Sequence, residues 1–584
     1  MNRKQFLQKV GIGSALLPAL SSFTPGNIST DLSVNEQYIL DANKREVDRL
    51  LEVYSKPIAN LRRSLGFDLA NLAAGYTEPK SAYFQSATVL TPMEAIVNFL
   101  ISEQKPDGTL DFGNLSSPPD TAFIIDPLCA AARILRESGG QESLRQKLKA
   151  FITKAADQLA IGGVHTPNHR WVVSSALAKV NALFPHKKYM TRINQWLAEK
   201  VFADQDGVYL ERSITYAEVV NRSLIFLADY AQKTELLKNV EKNLNWLFHM
   251  MEPNGDMVTV QSRRQDAFHH RNVTEFYIHY RYMAIKTGNP LYASMLGFIE
   301  KMPDFEEIQG RNLLYYIREN PFLAKEPRKD SLPTKYERLY EGINLLRKRN
   351  EKESLTLFAG TDWPTIVASG RSSNPSLLMY RKGDAILKYL RISTSFFSIG
   401  YIRGKGIKKT ATGYQTQFSF EAPYYQPLPE KYLKADGDYE LSPSTDGRFW
   451  NKMDFQNRPQ SNVQRLNADI NYEEKSGKHL LNIRINAQQG VKVVIEMCFD
   501  ENGKFIHSGE IESGSGENYF LKEGYVIYKS GNDEIKIGPG VQQHKSVQNL
   551  EGEMYSTHFG SLKTNGKYLY ITGICPFEYT LEIS

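Results

Sequence analysis

Residues 205–231, QDGVYLERSITYAEVVNRSLIFLADYA, place a turn glycine (Gly207), a polar loop and an apolar run from Tyr216 to Ala231 one after another. The apolar residues of that run recur at helical spacing, without the alternation a strand needs. The same order returns at Gly108 (PDGTL), Gly163 (GGVHT) and Gly255 (PNGDM), so the four glycines stand 55, 44 and 48 residues apart. A period of that size fits one helical hairpin per repeat. PMEAIVNFLISEQ (92–104), ESLRQKLKAFITKAADQLA (142–160) and LLKNVEKNLNWLFHMM (236–251) carry the same helical signal. Hairpins repeated around a circle put every loop on one face; an open stack of hairpins also satisfies the spacing. The ring is the preferred reading.

Near residue 350 the pattern changes. SLLMYRKGDAILKYLRIST (376–394) and LLNIRINAQQGVKVVIEMCF (480–499) alternate, and turns such as Lys382-Gly383-Asp384 and Gly531-Asn532-Asp533 punctuate them. The expected organisation is a signal segment at 1–21, a helical domain at 30–305, a charged, proline-bearing linker at 306–355 and an all-β domain at 356–584. A chain of 584 residues is too long for a single ordinary core.

Composition limits the function. Hydrophobic residues at 41% and charged residues at 23% describe a folded chain, and 32 Tyr and 29 Phe against 5 Trp suit either sugar stacking or strand packing. The formal charge of +6 includes Arg3, Lys4 and Lys9 of the first 21 residues, which contain no acid. Without them the balance is nearly even, which argues against nucleic acid as a partner. Asn2-Arg3-Lys4 followed by VGIGSALLPAL (10–20) reads as a cleavable export signal ending near Ser22, implying a periplasmic or secreted protein. No later run is long and apolar enough for a membrane helix. Of the three cysteines, Cys129 reads as a buried small hydrophobe, while Cys498 and Cys575 lie in strand-like segments where pairing is open. Oligomeric state is not legible.

The loops after the turn glycines hold the chemistry. They supply Asp120; then His165, Asn168, His169, Arg170 and Trp171; then Glu211, Tyr216 and Arg222; then Arg263, Arg264, His269 and His270. One face collecting carboxylates, imidazoles, a phenol and guanidiniums suits an anionic, hydroxyl-rich substrate. Plainer readings stand beside these: Asn168 and Asp120 as helix N-caps, Tyr216 as a core tyrosine, and Arg263 to Arg271 as a solvated charged stretch. Pro167 between His165 and His169 disfavours a helical metal pair. Neither a metal nor a cofactor is expected.

Asn168-His169, then Asp206-Gly207-x-x-x-Glu211-x-x-x-x-Tyr216, then a β domain, resembles the heparinase II/III-like and alginate-lyase polysaccharide lyases. The Arg170-Trp171 that follows, with Pro167 before, also fits a related branch of helical-toroid β-glucuronidases. The resemblance implies an α + β multidomain chain, with an incomplete (α/α) toroid followed by an antiparallel β-sandwich. It further implies that Asn168 and His169 neutralise a uronate carboxylate, that Tyr216 is the base, and that Glu211 orients a partner. Arg170, Trp171, Arg222, Arg263, Arg264, His269 and His270 would help bind the glycan. Hydrolysis instead needs two carboxyl groups flanking the glycosidic bond, for which Asp120 and Glu211 are the best pair. A glycan-binding protein without turnover is a third reading. In the β domain, Tyr401, Arg403 and Tyr414 are the expected cleft residues.

Overall fold

The computed structural model describes residues 34–327, 331–360, 374–447, 449–507, 509–547 and 564–584. The expected signal at 1–21 lies outside them. The chain divides into two compact units: residues 1–248 with 272–332, and residues 249–271 with 333–584.

The first unit is built of helical hairpins. Helices α1 (Glu36–Val53), α2 (Ser64–Thr77), α3 (Ala87–Glu103), α4 (Pro118–Ser138), α5 (Glu142–Leu159), α6 (His169–Leu183), α7 (Lys187–Ala198), α8 (Ile214–Tyr230), α9 (Leu237–Met250), α10 (Tyr277–Thr287) and α11 (Pro290–Ile299) follow in order. Composition sorts them into two rings. In α2, α4, α6, α8 and α10 nearly every turn is buried on all sides. By contrast, α5 buries only the stripe Leu144, Leu148, Phe151, Ile152, Ala155 and Leu159 and shows its charges to water. Helix α2 packs on α4, α4 on α6 and α6 on α8. The short α12 (Phe305–Ile308) and α13 (Leu313–Glu319) return the chain, and α13 packs against α2 and α4.

Backbone demands explain the turn glycines. Gly207 has φ +85°, and a Cβ there would stand 2.6 Å from the Lys242 carbonyl carbon, so both conformation and space require glycine. Gly108 and Gly255 also adopt positive φ, but Gly163 does not. The 55-residue first interval and the 44-residue second therefore join turns of different geometry.

The second unit stacks two large sheets. One runs, in spatial order, 335–340, 345–350, 353–358, 378–382, 385–394, 492–499, 567–574, 518–523 and 510–513; the other runs 504–507, 526–530, 533–538, 577–583, 478–486, 460–475, 413–425 and 408–409. Alternate residues such as Leu481, Ile483 and Ile485 and Val493, Ile495 and Met497 meet in one apolar core. Among the described residues the strands pair antiparallel except between 518–520 and 568–570, and an isolated parallel bridge joins Gln542 to Thr572.

Two findings differ from the expected boundaries. Residues 306–355, read as a linker, hold α13 and three strands; of their charges, Lys335, Glu337 and Arg338 are exposed on the first strand, whereas Arg347 on the second is buried. Residues 249–271, read as part of the toroid, belong to the β unit. Arg347, fully buried, donates to the His249 carbonyl oxygen at 2.9 Å and to Glu252 Oε1 at 2.9 Å, and Arg381 donates to Asp256 Oδ2 at 2.9 Å. Cys129, Cys498 and Cys575 are buried free thiols, so the open pairing of Cys498 with Cys575 does not form.

Candidate functional site

The N-terminal ends of three inner helices come together in the first unit. Helix α4 begins with Pro118-Pro119 behind Ser117, whose Oγ accepts from the Asp120 amide at 3.2 Å. The Asp120 carboxylate accepts from Arg63 and, at 2.6 Å, from Asn114 Nδ2. Burial pushes this carboxyl up, but Asn114, Arg63, Ser117 and the nearby His169 outweigh it and hold it below its ordinary value. Asp120 is thus a fully engaged carboxylate. Arg63 in turn lies over the Phe123 ring at 4.5 Å, which fixes its fork.

His169 opens α6, edge-on to His165 at 4.9 Å and to Phe123 at 6.2 Å between ring centroids. Asn168 precedes it with helical φ and ψ, and its side chain caps nothing. The capping reading of Asn168 therefore fails. Its Nδ2 instead donates to Glu211 Oε2 at 2.8 Å, while its buried Oδ1 has no hydrogen-bond partner among the described residues. A fixed amide with one carboxylate-held edge presents its remaining donor in a defined direction.

The loop carrying Glu211 is itself anchored. Tyr209 donates to Asn221 Oδ1 at 2.7 Å, Asn221 to Asn243 Oδ1 at 2.8 Å, and Asn243 to the Gly207 carbonyl oxygen at 2.8 Å, all buried. Tyr216 then enters in the first turn of α8, its amide capped by Ser213 Oγ at 3.1 Å. Asn168, Trp171, Glu211 and Tyr216 line one shallow notch, together with Tyr209 and Phe202. It encloses only about 20 Å³, roughly one water, so a ligand would lie on it rather than inside it.

The other expected residues are placed differently. Arg170 also borders the notch, but its guanidinium pairs with Glu199 at 2.6 Å and lies over Trp171, which is buried. Arg222 follows Tyr216 by six residues, about 9 Å down α8. There it faces Asp126 at 3.7 Å and Glu218 at 3.2 Å. Arg263, Arg264, His269 and His270 belong to the β unit. His270 Nε2 lies 2.6 Å from Asp256 Oδ1, and although burial raises the Asp256 carboxyl, His270, Asn254 and Arg381 bring it down to about 2. Of the β-domain candidates, Tyr401 and Tyr414 are buried and donate to Glu496 and Glu337, at 3.0 and 2.5 Å. Arg403 is half-buried, and burial and Arg391 lower it to about 10.

Sequence reading missed Arg63, Asn114 and Lys179. Lys179, only 2% exposed, joins Asp126 of α4 and Glu319 of α13 at 2.5 Å each. Its sole sequence signal is a lysine inside an otherwise apolar helical run. Among the described residues no three His, Cys, Asp or Glu side chains are placed to hold a metal. Nor is any helix there long and apolar enough to cross a membrane.

Neither a protein-family profile nor a curated protein sequence matches the chain. Solved structures do. A crystal structure of heparinase III superposes with a TM-score of 0.53 at 12% identity, over 97% of this chain and 87% of that one. The chondroitin AC lyase of Streptomyces coelicolor A3, solved with chondroitin sulphate, gives 0.52 at 10% identity, over 100% of this chain and 82% of that one. The described residues have the helical-toroid and β-sandwich fold of these polysaccharide lyases.

Proposed function

We propose that this protein is a carbohydrate-active enzyme that cleaves a uronate-containing glycan by β-elimination. The observation that carries the reading is the amide of Asn168, clamped by Glu211 and sharing one notch with the Tyr216 phenol. The shared fold with heparinase III and a chondroitin lyase supports it.

In this mechanism the free donor of Asn168, with His169 beside it, binds the uronate carboxylate and stabilises the negative charge that grows there as the C5 proton leaves. Tyr216 takes that proton as its phenolate. The C5–H electron pair becomes the C4–C5 double bond, the C4–O4 bond breaks, and the same phenol returns its proton to O4. The products are a 4,5-unsaturated uronate end and a free hydroxyl end. Glu211 is a positioning residue for Asn168. An exported protein acting outside the cytoplasm is part of the same proposal.

The state of Asp120 bars it from the general-acid role that a hydrolysis would require of one carboxyl group. A general acid must hold a proton near neutral pH, whereas Asp120 is held below its ordinary value between Arg63 and Asn114. Incubation with uronate glycans tests the choice: a rise in the ultraviolet absorbance of unsaturated ends is expected. New reducing ends without that absorbance would refute elimination.

A further inference from the structure

The inner helices end, as they begin, around an opening. Tyr230 lies 14 residues beyond Tyr216 on α8, about 21 Å along the axis. Arg133 on α4 lies within 5.8 Å of the Tyr230 ring, so the C-terminal ends of these helices gather at the opposite mouth. A cavity of about 280 Å³ sits there, on the order of nine waters at liquid density, which is the size of one sugar ring and not of a chain.

Its chemistry is that of a carbohydrate pocket. Tyr230, Tyr282 and Phe322 supply aromatic walls; Asp229, Glu319 and Asn320 supply polar partners; Arg133 and Lys286 bring cations to the rim. Asp229 is oriented by Tyr282 at 2.5 Å and Asn320 at 3.1 Å, and Glu319 by Tyr230 at 3.0 Å. Lys286 is exposed; its ammonium stands 5.9 Å from the Phe322 ring centroid and close enough to Asp229 to favour that carboxylate's charged form. A second, inner pocket continues from Tyr230, Tyr282 and Asn320 to Arg222 and His279.

His279 is the telling group. It is completely buried, it lines the inner pocket, and neither ring nitrogen makes a hydrogen bond of good geometry; Glu218 Oε1 stands 3.7 Å from Nε2. Burial and the adjacent Arg222 guanidinium lower it to about 3, so it is a neutral imidazole, with backbone groups of Phe276 and Glu218 as its nearest hydrogen-bonding neighbours.

We propose that this rear mouth is a second binding site, separate from the Tyr216 notch, for a single pyranose ring bearing a carboxylate. The ring stacks on Tyr282 and Phe322, its hydroxyls meet Asp229 and Asn320, and its carboxylate meets Lys286. The site needs no elimination chemistry and stands whether or not the front notch is a lyase centre.

Titration calorimetry of the full chain with sodium glucuronate, and separately with neutral methyl glucoside, tests it. Glucuronate is expected to bind with a millimolar or tighter Kd. Lys286→Glu, a change at an exposed position, should weaken it at least about tenfold, and Phe322→Ala likewise, by loss of one charge contact or one stacking face. The Lys286-dependent binding should persist in Tyr216→Phe and Asn168→Ala, whose changes fall on the front notch alone. No saturable binding to the wild type overturns the proposal. So does binding that survives both rear-mouth variants, that is lost in Asn168→Ala, or that is equally tight for methyl glucoside. Failure of the front reading registers separately, as no unsaturated product from a polymer.

Discussion

Replacing Lys179 with methionine removes the cation that joins α4 to α13 while keeping most of its volume. The ammonium is 2% exposed, 2.5 Å from both Asp126 and Glu319, and 4.2 Å from the Phe226 ring centroid. Burial alone would lower it, yet the two carboxylates raise it well above the ordinary lysine value. Breaking a buried pair from one side leaves uncompensated charge, a cost of about 3–5 kcal/mol. The cost has a definite pH dependence. Burial, with Asp126 beside it, already holds the Glu319 carboxyl above its ordinary value in spite of Lys179. A carboxyl raised in the fold binds its proton more tightly there than in the unfolded chain, so stability falls as pH rises from the unfolded value through the folded one. Without Lys179 that window widens, and acidification restores up to about 1.4 kcal/mol per pH unit for each carboxyl that protonates. Urea unfolding followed by far-ultraviolet circular dichroism at pH 5 and pH 8 measures both effects. The variant should lose more at pH 8 than at pH 5, and Glu319→Gln added to it should recover part of the loss. A Lys179→Met chain within about 1 kcal/mol of wild type at pH 8, or with no pH dependence, would refute the reasoning.

Three other outcomes follow from the geometry. Glu211→Gln replaces a charged acceptor for Asn168 with a neutral one; a loss of about 1.5–3 kcal/mol of orientation lowers kcat roughly 10- to 150-fold, read from steady-state rates of unsaturated product. Asp120→Asn leaves Arg63 without its carboxylate and costs about 1–3 kcal/mol in thermal unfolding near neutral pH. Because Asp120 is held below its ordinary value, the wild type loses that stability as pH falls through the folded value, so the two proteins should converge in acid. Gly207→Ala forces a side chain onto φ +85° and against Lys242, and should cost at least about 2 kcal/mol, seen as a lowered melting temperature.

Helical period and strand alternation were legible because burial writes them locally. Leu144, Leu148 and Phe151 mark a face whatever they pack against, and 480–486 alternates whatever lies across the sheet. Membership of 249–271 was not legible, since it is decided by Arg347 and Arg381, about a hundred residues downstream. The site divides in the same way. Asn168, Glu211 and Tyr216 announced themselves as polar groups in turn loops, and they line one notch. Arg222 and Arg170 looked equally suited to an anion, but each has a carboxylate from a distant helix or loop, Asp126 or Glu199, that no spacing reveals. Lys179 and His279 were hidden by lying inside runs that read as core.

The central claim is that Tyr216 and the Glu211-held Asn168 perform elimination. Ultraviolet absorbance during incubation of wild type, Tyr216→Phe and Asn168→Ala with a panel of uronate glycans, beside a reducing-end assay, tests it most directly. The account predicts absorbance rising in step with new reducing ends for the wild type, and neither for the two variants. Reducing ends or free uronate without absorbance would contradict it and transfer the chemistry to carboxyl groups.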